Sequence, residues 1–301
     1  MTTPTPNATT VATSEATLRR LELLVTRKLD GLLHGDYQGV LPGAGTEAGD
    51  GRLYQPGDDV RRIDWNLTAR SSAPHVRDAV ADRELEMWLV IDGSASLDFG
   101  TARCEKRDLA LATAAAFGFL TCRAGNRLAA IVFDGTNTSV LPPRTGRNAV
   151  MAILHRLDNR PRAGEGNADL ASALRQARLS ARRKGLMIVV SDLLDGGPWA
   201  RELRGLTARH DVVVAHVGDP RERELPPVGL LTLVDPETGR RREVQTANPR
   251  LRQRFAAVAD EQWDANARSV RAAGAAHLPL STDRDWLLDI VRFAALRKRR
   301  R

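Results

Sequence analysis

The chain has 301 residues, 42% hydrophobic and 27% charged, with 45 Lys and Arg against 37 Asp and Glu for a net charge of +8. That composition is ordinary for a globular protein with a substantial core, and Arg, Asp or Gly cuts every apolar run well short of a membrane span. Cys104 and Cys122 are the only cysteines; their spacing excludes a CxxC zinc or redox motif, and two unpaired thiols fit a reducing compartment.

Residues 1–14, rich in Thr, Pro and Asn, predict a disordered tail. They lack the basic flank and apolar core of a signal peptide, so a cytoplasmic location is expected. Residues 15–85 are read as an N-terminal helix followed by an irregular segment. Leu18, Leu21, Leu24, Val25, Leu29 and Leu32 recur at helical spacing over 15–33, and a Gly-rich loop follows over 41–51. Within it Gly43-Ala44-Gly45-Thr46-Glu47-Ala48 fits the pattern GxGxxA, but no strand precedes it and no helix opens in it, so the nucleotide reading is set aside.

The block from Arg52 to Arg70 is unusual. Pro56-Gly57 is a type II turn signal. Around it Arg52, Arg61, Arg62 and Arg70 alternate with Asp58, Asp59 and Asp64, close enough for an ion-pair network. Tyr54, Ile63 and Trp65 offer apolar bodies to dock the segment on a sheet. A structural clamp is the expectation, with a recognition surface as its rival.

Residues 86–296 alternate strands with helices. Met87-Trp88-Leu89-Val90-Ile91 is a short apolar run ended by Asp92-Gly93-Ser94-Ala95-Ser96, which predicts a strand buried on both faces. Helices are expected over 106–123, 148–157, 170–183, 199–207, 250–273 and 286–297. Buried strands are expected over 128–133, 186–190 and 212–217, a last strand over 276–280, a short edge strand over 138–141 before Pro142-Pro143, and a hairpin over 230–245. This order implies a doubly wound α/β fold with a mainly parallel sheet and helices on both faces. Residues 297–301 are a basic tail.

In such sheets ligands sit outside the carboxyl ends of the strands, which places Asp92, Ser94 and Ser96 at the mouth of a crevice. One carboxylate and two hydroxyls are hard oxygen ligands suited to Mg²⁺, with Mn²⁺ as a substitute. The bland counterpart is that Asp92 and Ser94 cap the strand end by satisfying backbone N–H groups.

The run Arg52-Leu53-Tyr54-Gln55-Pro56-Gly57-Asp58-Asp59-Val60-Arg61-Arg62-Ile63-Asp64-Trp65, followed by Arg70, Val76, Arg83-Glu84 and Asp92-Gly93-Ser94-Ala95-Ser96, resembles the domain-of-unknown-function 58 family over about residues 35–293. The resemblance implies a von Willebrand A-like domain working beside a MoxR-type AAA+ ATPase, as an adaptor that recruits a client protein. It also implies a metal site drawn from three loops. Asp192, after the strand at 186–190, matches the third loop. The central loop should carry a Thr, but Gly166-Asn167-Ala168-Asp169-Leu170 has Ala168 there; Asn167 and Asp169 offer oxygens in its place. A partner's acidic side chain would complete the shell.

Enzymatic readings find little support. A phosphoryl-transfer hydrolase of the haloacid dehalogenase type needs a second carboxylate two residues after Asp92, where this chain has Ser94. GxSxG, GxxxxGK[ST] and HExxH are all missing from the sequence. The alternative is binding of nucleic acid or another anionic surface through Arg240-Arg241-Arg242 and Arg297-Lys298-Arg299-Arg300-Arg301, but aromatic residues are only 4% of the chain, so stacking platforms are scarce. The expectation is a non-enzymatic protein-interaction module.

Overall fold

The computed structural model describes residues 18–19, 21–23, 25, 51–55, 58–60, 63–71, 73–77, 85–162 and 169–298. Its centre is a six-stranded sheet of β3 (Glu86–Asp92), β4 (Arg127–Phe133), β5 (Thr138–Arg144), β6 (Gly185–Ser191), β7 (Asp211–Gly218) and β10 (Ala276–Ser281). Their order is β10-β7-β6-β3-β4-β5; every pairing is parallel except β4 with β5. The doubly wound α/β layout expected from the strand–helix alternation is the layout observed.

Side chains alternate between the two faces of a strand, and β3 shows how both faces are covered. Met87, Leu89 and Ile91 join one core with residues of α2 (Lys106–Arg123), α3 (Arg147–Asp158) and α7 (Trp286–Lys298). Trp88 and Val90 join the opposite core with residues of α4 (Leu170–Ser180), α5 (Trp199–Thr207) and α6 (Pro249–Ala272). Helix α2 is Ala- and Leu-rich and largely buried, which fits a helix apolar nearly all round and sunk into the core. Of the helix expected over 15–33, the described positions 18–19, 21–23 and 25 are helical. Leu18 and Val25 are fully buried in the first core, and Glu22 clasps Arg147 through two contacts of 2.6 Å.

Two boundaries differ from expectation by three residues. Strand β5 continues through Pro142 and Pro143 to Arg144 rather than stopping before them. Proline is tolerated on an edge strand because one side of the ladder needs no N–H donor; the register shifts between Leu128 and Ala130, and Arg127 Nη2 donates to Pro143 O at 3.1 Å. Helix α4 ends at Ser180, not Arg183. Strand β6 begins at Gly185, so the chain needs the intervening residues to reverse. A side chain at Gly185 would meet Glu86 O at 2.0 Å.

A smaller unit precedes the domain. β1 (Gly51–Leu53) pairs antiparallel with β2 (His75–Arg77), and α1 (Trp65–Ser71) lies between them in sequence. The expected hairpin is also present, as β8 (Leu230–Val234) paired with β9 (Arg241–Gln245). The Gly43–Ala48 loop lies outside the described residues, as do 299–301 of the basic tail. Arg297 belongs to α7 and pairs with Asp211.

Candidate functional site

The strand order fixes the site. From β3 the chain crosses to β4 on one side, and it returns at β6 on the other. The carboxyl ends of β3 and β6 are therefore a topological switch point, where the diverging connections leave a crevice. Ile91 lies opposite Val190 in the β3–β6 register, so Asp92 and Ser191 come together and Asp192 sits one step beyond.

Asp92, Ser94, Ser96 and Asp192 are all buried and belong to one hydrogen-bonded cluster. Ser94 N–H donates to Asp92 Oδ1 at 2.8 Å, the cap foreseen as the bland reading, and Ser191 Oγ donates to Asp92 Oδ2 at 2.8 Å. Ser94 Oγ and Ser96 Oγ share a hydrogen bond of 2.9 Å, and Ser96 helps to lower the Asp192 carboxyl pKa. Gly93 is held rather than loose. Its N–H donates to Phe133 O at 2.6 Å, and a Cβ there would lie 3.0 Å from that oxygen and 3.1 Å from Arg160 Cδ. Leu193 follows Asp192 with φ of 56°, a left-handed conformation unusual for a branched residue. It is held by Leu193 N–H donating to Ser191 Oγ at 3.1 Å and by Asn266 Nδ2 donating to Leu193 O at 3.0 Å.

Sequence reasoning missed the residue that dominates this cluster. Lys106, the first residue of α2, is fully buried, and its ammonium donates to Asp192 Oδ2 at 2.8 Å and to Glu222 Oε1. The available hint was its position: a cation in the first turn opposes the helix dipole, so it needs a local reason to be there. Burial alone would lower the Lys106 pKa, but Asp192 and Glu222 lift it above the ordinary lysine range. Burial likewise would raise Asp192, yet the Lys106 ammonium holds it below the usual carboxylate range. Asp92 is not bonded to the ammonium, and burial followed by the charge of Asp192 pushes it up to about 7.

Beneath Asp192 lies a second unforeseen group. His216 on β7 is stacked on Trp263 of α6 with ring centroids 3.6 Å apart. Its Nε2–H donates to Asp192 O at 3.0 Å, which leaves Nδ1 to accept from His277 Nε2–H at 3.2 Å. Burial lowers His216 to about 3, and burial with the nearby Arg271 lowers His277 to about 4, so both rings are neutral. Both rings serve as packing residues. Together with Trp263, Glu222, Asp260 and Arg284, His216 and Asp192 line a cavity of about 630 Å³ at the carboxyl ends of the strands.

The other predicted residues lie elsewhere. Asn167 is outside the described residues. Asp169 caps α4, accepting Ser172 N–H at 2.7 Å. In the Arg52–Arg70 block, Pro56, Gly57 and Arg61 also lie outside the described residues. Asp58 accepts Gln55 N–H at 2.9 Å, and Asp64 caps α1 by accepting the N–H groups of Asn66 and Leu67 at 3.0 and 3.1 Å. Tyr54 N–H donates to Pro74 O at 2.8 Å, while Asp59 and Arg70 are exposed. Trp65 departs from expectation. It is 71% exposed and docks on no sheet, because α1 buries none of its residues.

Residues 50–265 match the family described as Protein of unknown function DUF58. The chain belongs to that family. Its relatives include "Uncharacterized protein Rv1480" of Mycobacterium tuberculosis, 52% identical over 285 residues, which are 94% of this chain and 90% of the relative. Among solved structures, it is similar to BatB from Bacteroides thetaiotaomicron at 14% identity and a TM-score of 0.44, over 71% of this chain and 99% of that one. It is also similar to the SpRpn10 VWA domain at 12% identity and a TM-score of 0.39, over 69% and 93%. The fold assignment for a member of this family rests on the strand order and register above.

Whether these residues fit a divalent ion is a question of spare capacity. Asp192 Oδ2 is engaged by a buried ammonium at 2.8 Å. A Mg²⁺ ion ligated by that oxygen at about 2.1 Å would lie within about 5 Å of the ammonium. The repulsion is about 7 kcal/mol at an effective dielectric of about 20, before any attraction from the carboxylates. The Ser94 and Ser96 oxygens, 2.9 Å apart, keep free lone pairs, so the obstacle is the Lys106 ammonium. As arranged, the cluster does not fit a divalent ion.

Proposed function

We propose that this member of the family is a non-enzymatic protein-interaction module that works in the cytoplasm with a MoxR-type AAA+ ATPase, recruiting a client that the ATPase remodels. The observation that carries the reading is the cavity of about 630 Å³ at the switch point. It sets Trp263, Arg223 and Arg284, of the aromatic and arginine types that protein interfaces favour, beside the buried Asp192 and Asp219. The sites needed for chemistry find less support. Ser94 is bonded to Ser96 rather than to a base, and Asp92 already accepts from Ser94 and Ser191. Among the described residues no helix is long and apolar enough to cross a membrane. The nucleic-acid alternative is weakened because Arg297 is committed to Asp211.

In the form of this reading expected from the sequence, Mg²⁺ held by Asp92, Ser94, Ser96 and Asp192 links the module to a partner carboxylate. In the other form no metal takes part. The interaction itself is tested with the purified MoxR-type ATPase by calorimetry, comparing wild type with Trp263→Ala and Asp260→Arg at the cavity. Binding that is lost in both variants is expected. An ATPase that binds wild type and variants equally, or neither, would sink the cavity as the docking face.

A further inference from the structure

We infer that Lys106 is the resident cation of the crevice: its ammonium holds Asp192, the later carboxylate of the expected metal site, and ties it to Glu222, so that docking there is independent of metal. The clause on docking rests on the proposed function; the role of Lys106 does not.

Three observations carry the inference. The first is what the ammonium joins. Lys106 begins α2, Asp192 follows β6, and Glu222 ends the short 3₁₀ turn Pro220–Glu222 after β7. Three connections at the carboxyl edge of the sheet are tied to one positive centre, which is the structural work of a bound metal. The second is the partners already taken. Asp92 accepts from Ser94 N–H and Ser191 Oγ, Asp192 accepts from Lys106 Nζ and Leu194 N–H, and the Ser94 and Ser96 hydroxyls share a hydrogen bond. A site shaped for an ion leaves oxygens aimed at the vacancy, because a buried carboxylate or hydroxyl without a partner is costly. Here the oxygens bond protein donors. The third is charge. A cation buried without compensation is strongly destabilising, and Lys106 is fully buried against two carboxylates. Its four-carbon arm brings that charge in from the helix start with a single ammonium of three donors, enough for Asp192 and Glu222. Ala168, at the position where the family resemblance calls for a threonine hydroxyl, is what a site without a metal shell can tolerate.

The test is a set of thermal melts on the full chain with excess MgCl₂, excess MnCl₂ or EDTA, backed by calorimetric titration of Mg²⁺. A ligand that binds only the folded state raises its melting temperature. For wild type the three melting temperatures are expected to coincide and the titration to be silent. Lys106→Met is expected to melt lower and to gain a rise with Mg²⁺, since the uncompensated carboxylates then seek a cation. Should that variant fail to fold, the wild-type melts and titration decide alone. A wild-type rise with Mg²⁺ that disappears in Asp92→Ala overturns the inference; a rise that survives Asp92→Ala belongs to another site and leaves it standing. Binding of the MoxR-type ATPase in EDTA is the separate arm. Binding lost only in EDTA overturns metal independence, whereas no binding in either buffer sinks the adaptor reading and leaves the melts to judge Lys106.

Discussion

The crevice at Asp92 and the segment around Trp65 are the two regions richest in distinctive residues, and the fold treats them in opposite ways. The polar stretch Asp92–Ser96 is buried, and it brings with it a lysine, a second aspartate and a glutamate. The segment that carries the aromatic and aliphatic side chains is left outside, with Trp65 71%, Val60 60% and Leu53 57% exposed. Polarity alone predicts the reverse. The crevice groups are affordable inside because each finds a partner at the ends of adjacent parallel strands. The Trp65 segment has a two-stranded ribbon and a helix of two turns, too little structure to enclose a core of its own.

The largest effect expected is at Lys106. Replacing it with Met removes the cation and leaves buried Asp192 beside half-buried Glu222 without a counter-charge, a loss of about 3–5 kcal/mol in urea unfolding. If Lys106→Met costs no more than Trp65→Ala, the contrast between the two regions collapses. Next is Asp219, which joins the crevice wall to the β3–α2 loop. It accepts from Thr101 N–H at 2.8 Å, Thr101 Oγ1 at 2.6 Å, Thr282 Oγ1 at 2.6 Å and Arg221 N–H at 2.9 Å. Asp219→Ala is expected to lower stability by about 2–3 kcal/mol, and amide exchange at Thr101 should accelerate more than exchange in α1.

A pH series separates the regions by another route. His277 has its pKa lowered to about 4 by burial and Arg271, while an unfolded histidine titrates near about 6.5. Between those values the unfolded chain binds the extra proton, so stability falls as pH is lowered through the window. In His277→Gln the slope of unfolding free energy against pH should flatten there. An unchanged slope would mean that the ring is not shielded as the packing against His216 implies. The smallest effect belongs to Trp65→Ala, expected to stay within about 0.5 kcal/mol of wild type. If that variant nevertheless loses the ATPase while Trp263→Ala keeps it, the docking face is the Trp65 segment and not the crevice.

Much of the fold was legible because it is written in local pattern. The unbroken apolar runs at 87–91 and 186–190, and the run at 212–217 broken only by His216, each became a strand buried nearly throughout, and the family block was recognisable from its residues alone. Candidate ligands were legible where they close a strand, as Asp92 and Asp192 do. Strand β5 running through two prolines was not, since only its place at the sheet edge makes them tolerable. The exposure of Trp65 was not, since an aromatic residue in a strong motif carries no information about which surface, if any, will cover it.

By itself, then, the chain determined its α/β alternation, its buried strands and the two carboxylates at their ends, because periodicity and strand-ending residues act over a few neighbours. The strand order and the β3–β6 register were decided only by the tertiary structure, and with them the meeting of Ser191 with Asp92 and of Lys106 with Asp192 and Glu222. A lysine at a helix start reads as a solvated charge. Only when the sheet and α2 close over it does the same ammonium lose its water and become the partner that buried Asp192 and half-buried Glu222 require.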